Sequence, residues 1–98
     1  MKLKIIEITN TCAAYPSQWE FKTEDNRIGY VRYRFSKLVI HLSDPGENLK
    51  NAMNNRPIFE AYFGIDPNCG ELSDENMLHC LCLLDFEITE GLIITRRS

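Results

Sequence analysis

The chain has 98 residues, of which 44% are hydrophobic and 26% are charged, which is the balance of one small folded domain spanning residues 1–98. Eleven Lys and Arg residues oppose fourteen Asp and Glu residues, giving a net charge of -3. This balance excludes a generally basic nucleic-acid binder of the histone or ribosomal type.

The first apolar run of the chain starts like a signal peptide, but Glu7 breaks it before it reaches the required length. No other run approaches the roughly 18 apolar residues of a transmembrane helix. We therefore expect a cytoplasmic protein with no membrane segment.

Apolar and polar residues alternate between Ser17 and Ser43, which predicts three antiparallel strands. The apolar positions should share one buried face of this sheet. They are Trp19, Phe21, Val31, Tyr33, Phe35, Leu38, Ile40 and Leu42. Trp19 is therefore expected in the core rather than on the surface as a stacking platform.

The length of the first hairpin loop sets the register of the first two strands. A three-residue loop over 25–27 places Phe21 opposite Val31 and Glu20 opposite Arg32 on the other face. A two-residue loop would instead place Glu20 opposite Val31. We predict the three-residue loop because it keeps apolar residues together.

The second turn is predicted as a two-residue loop of Ser36 and Lys37, which pairs Phe35 with Leu38. This turn lacks the Gly or Asn that tight hairpins favour, so some distortion is expected there.

A short helix is predicted after the meander. Asp44, Pro45 and Glu47 have the residue types of its N-cap, first and third positions, and Asn55 lies at its expected end. The predicted apolar face of this helix comprises Leu49, Ala52 and Met53. A buried strand is predicted over 58–63.

A second helix should begin after Ser73, because the acidic residues that follow this N-cap suit a helix N-terminus. Its predicted apolar stripe comprises Met77, Leu78, Leu81, Cys82 and Leu84. The tail over 86–96 is predicted as a hairpin in which Gly91 adopts a left-handed conformation. The predicted fold is α+β: an antiparallel sheet, made of a three-stranded meander plus additional strands, with two helices packed on one face.

The four cysteines, Cys12, Cys69, Cys80 and Cys82, are predicted to be free thiols, since the expected compartment is reducing. A zinc site would have to combine Cys69, Cys80 and Cys82 with His79. Structural zinc sites favour two C-x2-4-C pairs, whereas this chain has a single C-x-C, so we predict no metal and no cofactor.

Three segments form a pattern of the type C…PSQWE…YxRYR…PG. They are Cys12 with the following residues to Glu20, Tyr30 to Phe35, and Pro45 with Gly46. The pattern resembles a group of short bacterial proteins of unknown function and spans about a third of the chain. The resemblance implies that residues 12–46 form one unit, and it implies no activity.

The candidate binding residues lie on the polar face of the predicted meander. They are Gln18, Glu20, Tyr30, Arg32, Arg34 and His41. Guanidinium groups bind carboxylates and phosphates in a planar, bidentate manner, so this face is suited to an anionic ligand or an acidic protein surface. The alternative is an ordinary solvated face in which Glu20 and Arg32 form a cross-strand pair.

No catalytic motif is present, and a Cys12 nucleophile assisted by a distant His has no further support. We therefore expect a small regulatory or binding module whose partner is another protein. The alternative is a nucleic-acid or nucleotide binder using Tyr30, Arg32, Arg34 and His41. Residues 57–95 contain eight acidic residues and no Lys or Arg, which indicates either an ordinary solvated acidic surface or a second surface for a basic partner.

Overall fold

The computed structural model describes residues 3–12, 17–35, 37–62 and 73–96, which contain seven strands and two helices. In chain order these are β1 (Leu3–Cys12), β2 (Ser17–Thr23), β3 (Ile28–Arg34), β4 (Lys37–Leu42), α1 (Leu49–Asn54), β5 (Phe59–Tyr62), α2 (Asp74–Leu83), β6 (Phe86–Ile88) and β7 (Thr95–Arg96). The strand order is β5-β4-β3-β2-β1-β6, and β7 also pairs with β1. The predicted α+β class is confirmed. The sheet is mixed rather than antiparallel throughout, because β6 and β7 run parallel to β1.

Strand β1 lies between β2 and β6 and was not predicted as a strand. Its buried residues are Ile5, Ile8 and Asn10, so the first two are three positions apart rather than two. The pairing with β2 shifts between Ile5 and Glu7, and again between Asn10 and Cys12. Each irregularity breaks the period-two pattern from which a strand is recognised in a sequence.

The inner face of the sheet carries the predicted apolar residues of β2, β3 and β4. Trp19, Phe21, Val31 and Tyr33 are at most 2% exposed, and Leu38 and Ile40 are fully buried. The faces of all three strands are therefore as predicted, because an even shift of register leaves every side chain on its own face.

The register of the first hairpin differs from the prediction by two residues. The loop lies one residue earlier in the chain than predicted. Phe21 lies opposite Gly29 rather than Val31. The loop does contain three residues, but these are 24–26, closed by a hydrogen bond of 3.0 Å from Thr23 N to Arg27 O. Asn26 explains the shift, because it adopts the left-handed conformation (φ 65°) that a three-residue hairpin requires at its last position.

The second hairpin is also shifted, so that Arg34 rather than Phe35 precedes the turn. Arg34 pairs with Lys37, and Phe35 enters the turn with a φ of 54°. Phe35 is consequently 55% exposed, and its predicted place on the inner face is wrong. The distortion expected at this turn is thus found at Phe35. Of the two predicted loop residues, Lys37 begins β4 and Ser36 lies outside the described residues.

Helix α1 begins four residues later than predicted. Gly46 has a φ of 84°, which is incompatible with a right-handed helix, and Asn48 is the N-cap. Asp44 N still donates to Glu47 Oε1 over 3.0 Å, so the predicted capping interaction exists within a turn. The helix ends at Asn54 with Asn55 as its C-cap, as predicted.

The predicted buried strand over 58–63 is an edge strand. Within the described residues β5 pairs only with β4, and Tyr62 is 75% exposed while Ile58 is half exposed. An edge position leaves one side of the strand without a neighbour, which explains the exposure. Phe63 lies outside the described residues.

Helix α2 begins at the predicted N-cap, where the Ser73 hydroxyl accepts a hydrogen bond of 3.2 Å from Asn76 N. Met77 and Leu81 are fully buried in the inner core, whereas Cys82 is exposed and does not belong to the apolar stripe. The N-terminus of the helix is tied to the sheet, since Trp19 Nε1 donates to Asp74 Oδ1 over 2.9 Å.

Helix α1 contacts β3 and β4, and its C-cap residue Asn55 meets His41, whose side chain lies on the outer face of the sheet, opposite the inner core. His41 Nδ1 lies 2.9 Å from the Asn55 carbonyl oxygen, and Leu49 lines a small cavity with Glu20 and Lys22. Ala52 is fully buried but does not belong to the inner core. These contacts do not support the prediction that both helices pack on one face.

The predicted C-terminal hairpin is wrong, because β6 and β7 lie one after the other along the same edge of β1. Phe86 pairs with Leu3, and Thr95 pairs with Thr9. Gly91 has the predicted left-handed conformation (φ 77°), but in a turn closed from Leu92 N to Thr89 O over 3.1 Å. The tail follows β1 because that ten-residue strand is long enough to pair with both short segments.

Candidate functional site

The six sequence-predicted binding residues lie on the outer face, opposite Trp19 and Phe21, as the alternation requires. Their cross-strand neighbours differ from the prediction. Arg32 lies opposite Gln18, and Glu20 lies opposite Tyr30, so the predicted Glu20–Arg32 pairing is wrong. The two-residue change of register accounts for this exchange of partners.

Tyr30 and His41 lie in the part of the outer face that α1 contacts. Tyr30 is only 8% exposed, and its ring centroid is 6.2 Å from that of His41. Burial raises the pKa of the Tyr30 phenol above 10.0, an effect that the nearby Arg32 charge opposes. The His41 ring is held by the Asn55 carbonyl at 2.9 Å. The structure thus gives both Tyr30 and His41 a packing role.

A recess of about 260 Å³ opens at the end of the outer face nearest the β3–β4 turn. Its lining residues are Arg32, Arg34, Phe35, Lys37 and Val39. Tyr62 of β5 lies beside it, directly opposite Lys37 in the sheet. We refer to Arg32, Arg34, Phe35, Lys37, Val39 and Tyr62 as the turn patch.

The cations of the turn patch have different surroundings. Lys37 Nζ lies 3.6 Å from a carboxylate oxygen of Glu60 and 5.8 Å from the centroid of the Tyr62 ring. The Arg34 guanidinium lies 4.6 Å above the centroid of the Phe35 ring. Arg32 Nε is buried and has no hydrogen-bond acceptor among the residues that the structure describes, which is uncommon for a buried donor.

The sequence analysis missed four members of the turn patch: Phe35, Lys37, Val39 and Tyr62. Phe35 was assigned to the core, and Lys37 to the turn. In the observed register Lys37 lies opposite Arg34 and therefore on the same face of the sheet. The predicted turn was misplaced by one residue pair, so Lys37 was not recognised as a member of this face. The signal for Tyr62 is weaker, since it depends on which strand pairs with β4.

A larger cavity of about 330 Å³ lies beside the first hairpin loop. Its two cations already have carboxylate partners: Lys22 Nζ lies 4.0 Å from Glu7, and Arg27 Nε lies 2.8 Å from Asp25. Thr23 and Arg27 donate hydrogen bonds to the Asp25 carboxylate and hold its pKa below 3.8. This charge balance makes the larger cavity a weaker site for an anion than the turn patch.

Among the described residues Cys80 and Cys82 are free thiols, and burial raises the pKa of the Cys80 thiol above 9.0. Cys69, which the zinc alternative requires, lies outside the described residues. Over the described ranges no three potential metal-ligating side chains of the His, Cys, Asp or Glu type come together. The same part of the chain contains no helix long and apolar enough to cross a membrane.

Fold and site together define a small α+β protein with a cationic, partly aromatic patch at one end of a mixed sheet. Comparisons of the chain with models of protein families, with curated proteins and with solved structures find no match.

Proposed function

We propose that the protein is a small binding module that acts by contact with another protein through the turn patch. The observation that carries this proposal is the recess that Arg32, Arg34 and Lys37 line together with an exposed Phe35. Arg and aromatic side chains dominate the binding energy of many protein interfaces, and Tyr62 extends the same chemistry to the edge of the sheet.

The charge of the turn patch indicates the kind of surface it contacts. Three cations share the recess, and among the described residues the ion pair of Lys37 with Glu60 is the one that a carboxylate forms with them. A net positive patch on a protein of net charge -3 is a local feature that steers an acidic partner to this end of the molecule. We therefore propose an acidic partner surface.

A nucleotide or single-stranded nucleic acid is the second candidate, since Phe35 beside two arginines also resembles a base-stacking site. The burial of Tyr30 and the packing of His41 remove two of the side chains on which this alternative depended. Salt dependence separates the two functions, because contacts to several phosphates weaken steeply as the salt concentration rises.

Site-specific photocrosslinking in the native host tests the proposal. A photoreactive phenylalanine analogue replaces Tyr62 in one variant and Leu83 in a control variant. Both side chains are about three-quarters exposed, but Leu83 lies on α2, away from the turn patch. We expect a discrete crosslinked protein from position 62 that is absent from position 83.

A charge reversal makes the test specific to the patch. Arg34→Glu should remove the crosslinked protein, whereas Lys50→Glu on α1 should leave it, because both side chains are exposed but only Arg34 lies in the recess. A discrete partner at position 83 alone, or one that is insensitive to Arg34→Glu, would refute the proposed surface.

A further inference from the structure

We infer that the turn patch binds an extended acidic segment of its partner, in which two carboxylates two residues apart meet Arg32 and Arg34. This inference rests on the proposed function and specifies the chemistry of the partner. It follows from the spacing of the two arginines, from the state of their hydrogen-bond donors and from the composition of the recess.

The spacing comes from β3 itself. Arg32 and Arg34 are alternate residues of one strand, so their side chains leave the same face about 6.5–7 Å apart. An extended peptide repeats the same spacing between side chains two residues apart. A segment with carboxylates at alternate positions therefore reaches both guanidinium groups at once. Two adjacent carboxylates point to opposite sides of an extended peptide, so they cannot reach both arginines together.

The two arginines are not neutralised by a carboxylate of the described residues. Over the described residues neither arginine has a carboxylate within ion-pair distance, whereas Lys37 already contacts Glu60. Arg32 Nε is buried without an acceptor, so a carboxylate that draws this guanidinium into a bidentate pair removes an unfavourable feature of the free protein.

The composition of the recess favours carboxylates of a peptide over phosphate. The described residues that line it are two arginines, one lysine, Phe35 and Val39, and none of these belongs to a glycine-rich loop or to a helix N-terminus. Such backbone donors are what typical phosphate sites supply. Phe35 and Val39 provide apolar contact for a residue next to the carboxylates, so an acidic segment with interspersed leucines fits the whole recess.

Fluorescence anisotropy with two labelled hexapeptides of equal composition tests the inference on the full chain. The probe has glutamates separated by one leucine, and the control has the same two glutamates adjacent. We expect the probe to bind at least about tenfold more tightly, because only its carboxylates reach both arginines together.

Three variants connect this preference to the two arginines. Arg34→Glu should weaken binding of the probe by about tenfold or more, while Lys50→Glu, an equal charge change on the exposed side of α1, should have less than a twofold effect. Arg32→Lys keeps the charge but removes the planar fork, so it should reduce the preference for the probe over the control peptide. Because Trp19 is buried in the folded protein, we expect a blue-shifted emission, and this emission verifies that each variant is folded.

Other outcomes would overturn the inference. Equal binding of both peptides, or equal losses in Arg34→Glu and Lys50→Glu, would show attraction by general charge only. Tighter binding of ADP or inorganic phosphate, with the same dependence on Arg34, would assign the recess to phosphate. If neither peptide binds although position 62 still crosslinks to a partner, the acidic segment is wrong and the proposed contact function stands. If neither peptide binds and position 62 gives no crosslinked protein, both the inference and the proposed function are refuted.

Discussion

The ring of Phe21 occupies the space that a side chain at Gly29 would fill on the neighbouring strand. A Cβ atom at position 29 would overlap three atoms of this ring, and Phe21 is also packed edge-on against Phe86 at a centroid distance of 5.3 Å. The ring is thus buried between position 29 and Phe86. This contact keeps β2 and β3 in the observed register, because shifting either strand would place Phe21 against a larger residue.

Gly29→Ala should destabilise the protein by about 2–3 kcal/mol through overpacking of the core. Urea denaturation followed by Trp19 emission measures the loss. Phe21→Leu shortens the ring that blocks position 29, so the double variant Gly29→Ala/Phe21→Leu should be more stable than the two separate losses predict. Strict additivity of the two losses would contradict the proposed contact.

Asp74 connects the first turn of α2 to two parts of the sheet. Its carboxylate accepts a hydrogen bond of 2.9 Å from Trp19 Nε1 and forms an ion pair with Arg96, which in turn donates to Asn10 Oδ1 over 3.0 Å. Asp74→Ala should cost about 2 kcal/mol, because it leaves the buried indole N–H without an acceptor.

Glu75 provides the matched control for this prediction. It is an exposed acidic residue in the same first turn, so Glu75→Ala removes a similar interaction with the helix dipole and should cost only about 0.5 kcal/mol. Thermal unfolding of both variants gives the comparison. Equal losses for the two variants would mean that the bond to Trp19 contributes nothing.

Tyr30 makes the stability of the protein depend on pH in the alkaline range. Its pKa is raised above 10.0, mainly by burial, so the folded state retains the phenolic proton at pH values where the unfolded chain has lost it. The resulting stability is fully present below pH 10 and is lost as the pH rises through the folded-state pKa. Tyr30→Phe should therefore flatten the alkaline decline of stability.

Absorbance titration of the phenolate band tests the same point directly. The difference between the wild-type and Tyr30→Phe titration curves isolates the single phenol and should have its midpoint above 10.0. A midpoint at or below that value would show that burial does not control this group.

The two cysteines of α2 should differ in reactivity. Cys82 is exposed, whereas Cys80 is half-buried and has a pKa raised by burial, so less of its thiolate is present at neutral pH. Iodoacetamide should modify Cys82 faster in the native protein, as measured for each peptide by mass spectrometry. The rates should become similar in urea, and a native Cys80 that reacts at the same rate as Cys82 would contradict the helix orientation.

The face of each strand in the meander and the start of α2 follow from the sequence alone. Alternation with a period of two places Trp19 and Val31 inward and Arg32 outward whatever the register, because every even shift preserves the face. The N-cap at Ser73 is equally local, since a hydroxyl that binds a backbone N–H three residues later needs no distant partner.

Only the tertiary structure decides the composition of the turn patch and the direction of the tail. Phe35 becomes an exposed recess residue because the turn takes it at a positive φ, and this turn results from the β3–β4 register in which Arg34 pairs with Lys37. Likewise β6 and β7 pair in parallel with the edge of β1 that β2 leaves open. The register shifts of β1 interrupt its period-two pattern, so the sequence does not reveal this strand. Local patterns determine which side of an element is apolar, whereas its neighbour and its register depend on contacts between residues far apart in the chain.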